Sequence, residues 1–352
     1  MSPSHTSASV AAAFADLRRE PPADMPIPDR LNVCLVFLVF SSAVGLLWLG
    51  SHVETWWATL GVGVLFSYLL LTNYALLHEA GHGNLHSNAT ANRLLGALAG
   101  MLFPIPYSMF RVTHQGHHLR NRTDHEMFDL YYPTDIRVIR FVQWYSILCG
   151  LFWPWVPIGA LLFALCPAVL RTRVFRQART SNHLLGDIRN EEVRSIRVEV
   201  ALTAMLFVGL FWLLQLHWQA VLIMYACFSV NWSTRQYVGH AFSRRDVIDG
   251  AWNLRHNRVM SWLLLHGEWD LNHHRYPEIS WYYLPRLPAP AESRINYLWQ
   301  YWRQWQGPRP NREPAPESRQ QLPLSVHEGG GLHGQIGQDA GDQLPHIASG
   351  GS

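Results

Sequence analysis

Two apolar runs near the start of the chain, Leu31–Gly50 and Trp56–Leu77, limit the fold before any motif is read. A hydrocarbon core of about 30 Å needs about 20 apolar residues in a helix, because lipid offers no water to an unpaired backbone amide. Each run meets that length. The link Ser51–Thr55 carries no arginine, whereas Arg18, Arg19 and Arg30 precede the first run. The positive-inside rule therefore starts the chain in the cytoplasm and returns it there after a hairpin. Composition agrees, with 49% of residues apolar and 15% charged, against about 25% charged in ordinary soluble domains.

Farther along, Asn92–Phe110 is shorter and interrupted by Pro104 and Pro106, so it reads as interfacial or re-entrant. Phe141–Leu170 contains Pro154, Pro157 and Pro167; it is either one kinked helix or a bent pair that enters and leaves by one face. Seven arginines between Arg171 and Arg197 keep both of its flanks in the cytoplasm. Val200–Val230 reads as a second hairpin that turns near Gln215–Gln219 and returns to Arg235, Arg244 and Arg245. The expected fold is thus an all-α membrane protein: about four transmembrane helices in two hairpins, with interfacial or re-entrant helices and a cytoplasmic-side, histidine-rich helical cap. Residues 1–30 form a flexible cytoplasmic segment, 31–306 the membrane domain, and 307–352 a disordered tail rich in Pro, Gln, Gly and Ser. The 28 basic residues are all arginine and are spread along the chain, which leaves no nucleic-acid footprint. Cys34, Cys149, Cys166 and Cys227 lie inside apolar runs as packing residues. Residues 1–30 are polar and proline-containing, so no secretory signal is expected there.

Of the 19 histidines, seven fall between His78 and His125 and five between His240 and His274, just outside apolar segments. Neutral imidazole is the commonest protein ligand for iron, copper and zinc, and ionisable groups at a membrane boundary default to function. In HEAGH, His78 and His82 are four apart and stack on one helical face, with His86 four farther on. In HQGHH, His114 shares a face with His117 and His118. His266, Asp270, His273 and His274 also follow helical spacing. Three such faces supply about eight ligands, enough for two metal ions and too many for one. Isolated histidines such as His52 and His217 read as hydrogen-bonded structural groups.

HEAGH also matches the HExxH signature of zinc proteases, in which the glutamate is the general base. Such a site needs one further ligand, which would leave the second and third clusters surplus. A metal-binding transporter is a third reading, but its histidines would line a crossing route rather than gather on one face.

HEAGHGNLH, HQGHHLRNRTDHEMFD, VGHAF around His240 and LNHHRYP followed by WYYLP resemble the histidine boxes of the membrane fatty acid desaturase and hydroxylase superfamily over Leu31–Leu287. Among its members, the chain is also similar to the branch of terminal-alkene-forming fatty acid decarboxylases. The resemblance implies two iron ions held by His78, His82, His114, His117, His118, His240, His273 and His274, with His86, His125 and His266 as further candidates. The third box departs from the family pattern, since Asp270 stands where a His or Gln is usual. Either Asp270 ligates, or it orients a ligand from outside, or His266 supplies the missing imidazole. Asp124 and Glu126 are candidates to hydrogen-bond ligand imidazoles. The implied chemistry is O₂-dependent oxidation of a fatty acid, acyl thioester or lipid, with desaturation first and decarboxylation or hydroxylation as alternatives. The chain contains no flavin, haem or iron–sulfur motif, so a separate ferredoxin or cytochrome is the expected electron donor. Arg171–Arg179 is a candidate dock for that donor or for anionic lipid, beside its plainer topological role. The expected location is the inner membrane if the source is bacterial, with the site on the cytoplasmic face.

Overall fold

A computed structural model describes residues 24–173, 185–287 and 294–317. Helix α1 (Asp29–His52) and helix α2 (Trp56–His82) are joined by three residues and pack side by side. Thr55 caps α2 by accepting from the Ala58 amide. Gly83 ends it in the left-handed region at φ 83°, where a residue without Cβ is unstrained. Helices α3 (Ala89–Leu102) and α4 (Tyr107–Arg120) follow as a pair bent by 95° at the break holding Pro104 and Pro106.

Phe141–Leu170 divides into α5 (Arg137–Leu148), α6 (Trp155–Leu165) and a 3₁₀ turn at Pro167–Arg171. It is therefore two helices separated by residues 149–154 rather than one continuous helix. Its break begins at Gly150, at φ 92°, where an added Cβ would lie 3.0 Å from the Val230 backbone nitrogen. Two further helices, α7 (Asn190–Leu213) and α8 (Trp218–Arg235), are joined by residues 214–217. Among the described residues, α1, α2 and α7 are each long and apolar enough to cross a membrane, and the bent α3–α4 pair makes a fourth if counted as one span. The chain is an all-α membrane protein.

The core lies between α1, α2, α3 and α8, around Phe66, Leu70, Leu77, Phe103, Met224 and Phe228. Close approach of α8 to α2 relies on Gly63, whose Cβ would meet the Met224 backbone at 3.2 Å. Contacts of this length carry dispersion energy that lipid cannot replace. After α8 come three short helices, α9 (Arg258–Leu263), α10 (Asp270–Arg275) and α11 (Tyr297–Gln304), with a 3₁₀ turn at Trp281–Arg286. Two parallel two-residue pairs fasten this region: β1 (Leu130–Tyr131) with β4 (Arg309–Pro310), and β2 (Leu254–Arg255) with β3 (Ile295–Asn296). Residues 307–317, assigned from composition to the tail, thus include a paired strand. The rest of the expected tail, residues 1–23 and most of Arg171–Arg179 lie outside the described residues.

Candidate metal centre

Four segments bring histidines to one end of the helices. The last turn of α2 carries His78 and His82, α4 carries His114, His117 and His118, the turn after α8 carries His240, and α10 carries His273 and His274. They form two groups: His78, His82, His114, His118 and His273 in one, and His117, His240 and His274 in the other. Within each group the ligand atoms lie within 4.8 Å of one another. The groups abut, with the rings of His118 and His274 stacked 4.4 Å apart.

The spacing fits metal ions. Nε2 atoms are 2.8 Å apart for His82–His114, 3.3 Å for His114–His118 and 3.1 Å for His118–His273. In the second group, His117 and His274 are 3.3 Å apart by the same atoms. Ligands about 2.1 Å from a shared ion lie roughly 3.0–3.4 Å from each other in octahedral or tetrahedral arrays. The outward nitrogens are held as ligation requires. His117 donates Nδ1–H to the Glu126 carboxylate at 2.5 Å, and His240 donates to the Gly250 carbonyl at 3.0 Å, which turns Nε2 of each ring inward. Burial, reinforced by neighbouring imidazoles, holds His273 and His274 far below the ordinary histidine value. Burial also lowers His240, against the opposing pull of Asp270. These rings are neutral at physiological pH, the form that binds metal.

Three candidates sit apart from the groups. Because α2 stops at Gly83, His86 leaves the face of His78 and His82; its Nδ1 accepts from the Asn88 amide and lies 3.7 Å from Asp29. His266 is not on a helix with Asp270. It follows α9 at φ 56° and packs on Trp262 and Trp281. His125 belongs to neither group. Asp124 faces Arg245 at 2.7 Å and the Tyr132 hydroxyl rather than an imidazole. Asp270 lies beside the second group, Oδ2 being 3.2 Å from His240 Nε2 and Oδ1 3.9 Å from His274 Nε2.

Glu79 of HEAGH is buried on the Nδ1 side of His78, at 3.8 Å, and accepts from the Trp281 amide at 3.0 Å. It braces the third box, which removes it from the place of a protease base.

Sequence patterns did not reveal the asparagines that hold the boxes together. Asn272, wholly buried, exchanges hydrogen bonds with Asn253 and donates to the Leu284 carbonyl. Asn84 donates to the Pro277 carbonyl. Asn32 on α1 donates to the Leu85 carbonyl and accepts from the Trp281 indole. On the membrane side, Phe110 stacks on His114 at 5.4 Å and adjoins Tyr74, which contacts Phe103 and Trp232. This aromatic floor borders the histidine groups with apolar surface. A separate apolar groove between α1, α2 and α9, bordered by Leu46, Leu65, Leu69 and Leu263, touches none of the histidines.

Fold and site together define a membrane-embedded helical protein with a bipartite histidine centre at one end of its helices. The fatty acid desaturase family matches residues 54–305, and the chain belongs to that family. It is also similar to the sn-1 acyl-lipid omega-3 desaturase (ferredoxin) of Synechocystis sp., at 24% identity over 153 residues. That match covers 43% of this chain and 42% of the relative, so the chain spans less than half the length of the curated protein it matches.

Proposed function

We propose that this protein is an O₂-dependent, non-haem di-iron oxidase of fatty acyl chains, and that its reaction is desaturation. The observation that carries the reading is the pair of abutting imidazole groups, each spaced for one ion. Iron bound there would supply the O₂ activation and C–H oxidation that protein side chains lack. His78, His82, His114, His118 and His273 would hold one ion, and His117, His240 and His274 the other.

The chain's own work is positioning. Glu126 and the Gly250 carbonyl fix two imidazole tautomers. The Asn272–Asn253 pair and Glu79 fix the third box. The floor of Tyr74, Phe103, Phe110 and Trp232 excludes water from beneath the histidines and offers contact to a hydrocarbon chain. Electrons would come from a separate donor, and the ferredoxin in the relative's description supports that class of partner. The active site faces the cytoplasm in this reading, because the links at 53–55 and 214–217, free of arginine, lie at the opposite end of the helices.

Metal analysis of detergent-purified protein is expected to give two irons per chain; one zinc would overturn the reading. Glu79→Gln is expected to keep both metals and at least part of the activity, because the amide oxygen still accepts from Trp281. Gas chromatography after incubation with fatty acid, O₂ and a reducing system separates the possible products. An internal alkene of unchanged length supports desaturation, whereas a hydroxy acid or a terminal alkene one carbon shorter assigns hydroxylation or decarboxylation instead.

A further inference from the structure

The two metal groups differ in a way the histidine pattern does not announce. Group one consists of five imidazoles, and group two has only three. Beside those three, both oxygens of Asp270 approach the inward nitrogens, at 3.2 Å from His240 Nε2 and 3.9 Å from His274 Nε2.

The tautomer of His240 makes the approach informative. Its Nδ1 faces the Gly250 carbonyl, which can only accept, so Nδ1 bears a proton, and in the neutral ring Nε2 presents a lone pair to the Asp270 carboxylate. Two lone pairs 3.2 Å apart in a buried site repel unless a cation lies between them. His117 is oriented the same way, donating Nδ1–H to Glu126, with its Nε2 3.3 Å from that of His274. Three imidazoles thus form one group, and the Asp270 carboxylate lies beside it, against His240 and His274.

Gly239 supplies a second observation. Its φ is not in the left-handed region, so backbone conformation does not require glycine there. A Cβ at 239 would instead collide with Asp270 Oδ2 and lie 2.9 Å from its Cγ. The residue before His240 thus leaves the space that the carboxylate occupies.

We propose that Asp270 is a direct ligand of the second metal ion, which makes that site three imidazoles and one carboxylate beside an all-imidazole partner. This inference rests on the di-iron reading. The two ions would then differ in charge environment, the second being partly neutralised by its own ligand shell.

The test uses full-length protein, purified metal-free in detergent and titrated anaerobically with ferrous iron. Iron per chain and the Mössbauer spectrum are followed for the wild type, Asp270→Ala, Asp270→His and Gly239→Ala. Two distinct ferrous signals are expected in the wild type. Asp270→Ala is expected to keep the group-one signal, which shows that it is folded. Its affinity for the second ion should fall by more than the roughly 10–100-fold that loss of an outer-shell partner costs. Gly239→Ala keeps the carboxylate but displaces it, and should weaken the same ion. Asp270→His should restore the second ion with an altered signal. Wild-type affinity and unchanged signals in Asp270→Ala would overturn the assignment, leaving Asp270 ion-paired with a protonated His240. A wild type that binds fewer than two irons would instead overturn the di-iron reading, and this inference with it.

Discussion

Arg122 and Asp129 pair at 2.7 Å with neither side chain exposed to solvent. Arg122 also donates to the Tyr237 hydroxyl and the Ser243 carbonyl, while Asp129 accepts from the Phe242 amide. The pair fastens the loop after the second box to the turn bearing His240. Removing one partner leaves an uncompensated buried charge, so Asp129→Leu or Arg122→Met is expected to cost about 3–5 kcal/mol. The double variant should recover much of that loss, as thermal unfolding in detergent would show. At this scale the histidines could be read from the sequence because ligands on one helix must lie three or four positions apart. Their supports could not. Asn32 meets Trp281 across 249 positions, and nothing in local spacing records such a contact.

Among the elements, the long helices follow from apolar length and the bent α3–α4 pair from its prolines. The α5–α6 break is different. Prolines drew attention to Phe141–Leu170, but the turn forms at Gly150, where φ is 92° and Val230 sits against the backbone; Ser229 donates to its carbonyl. Gly150→Ala is expected to lose about 2 kcal/mol, from left-handed strain together with the displaced contact. Gly159, inside α6 and with no atom within 4 Å of where a Cβ would stand, is the matched control. Gly159→Ala should be neutral or stabilising by up to about 1 kcal/mol. Paired melting curves would separate the two. The third box shows the limit of periodicity: His266, Asp270 and His273 fit a helical face by number, yet Leu265 and His266 both adopt positive φ and break the run.

For the whole molecule, α2 is 27 residues long, about 40 Å at 1.5 Å per residue. His78 and His82 are at one end. At the other, His52 and His217 stack at 5.9 Å, among exposed Trp48, Trp56, Trp57 and Trp218. Tryptophans of this kind mark a membrane–water boundary. In a background lacking the natural cysteines, cysteine at Glu54 or Gln215 is expected to react with an impermeant thiol reagent from the side opposite to cysteine at Arg244. Labelling of all three from one side would overturn the two-ended arrangement. Because the histidine groups draw on four segments, ions held there as proposed would bind the folded chain and stabilise it by mass action, about 4 kcal/mol at a thousandfold excess over Kd. Chelation should therefore lower the melting temperature, and added ferrous iron should restore it. The helical membrane class was legible because the bilayer dictates the length of apolar runs. The convergence of distant boxes was not, because it depends on packing among segments remote in sequence.

The strap formed by β4 bears on how the protein is made. Arg309 and Asn311 donate their amides to the Asp129 and Tyr131 carbonyls, closing over the loop that follows the second box. On a ribosome, His78 and His82 emerge long before His273 and His274, and the strap emerges later still. The first two boxes must therefore wait in the membrane as an open half-site. In the proposed di-iron reading, iron delivery would accordingly be a late event in biosynthesis, and nascent chains arrested before Arg309 should carry their histidines without that closure.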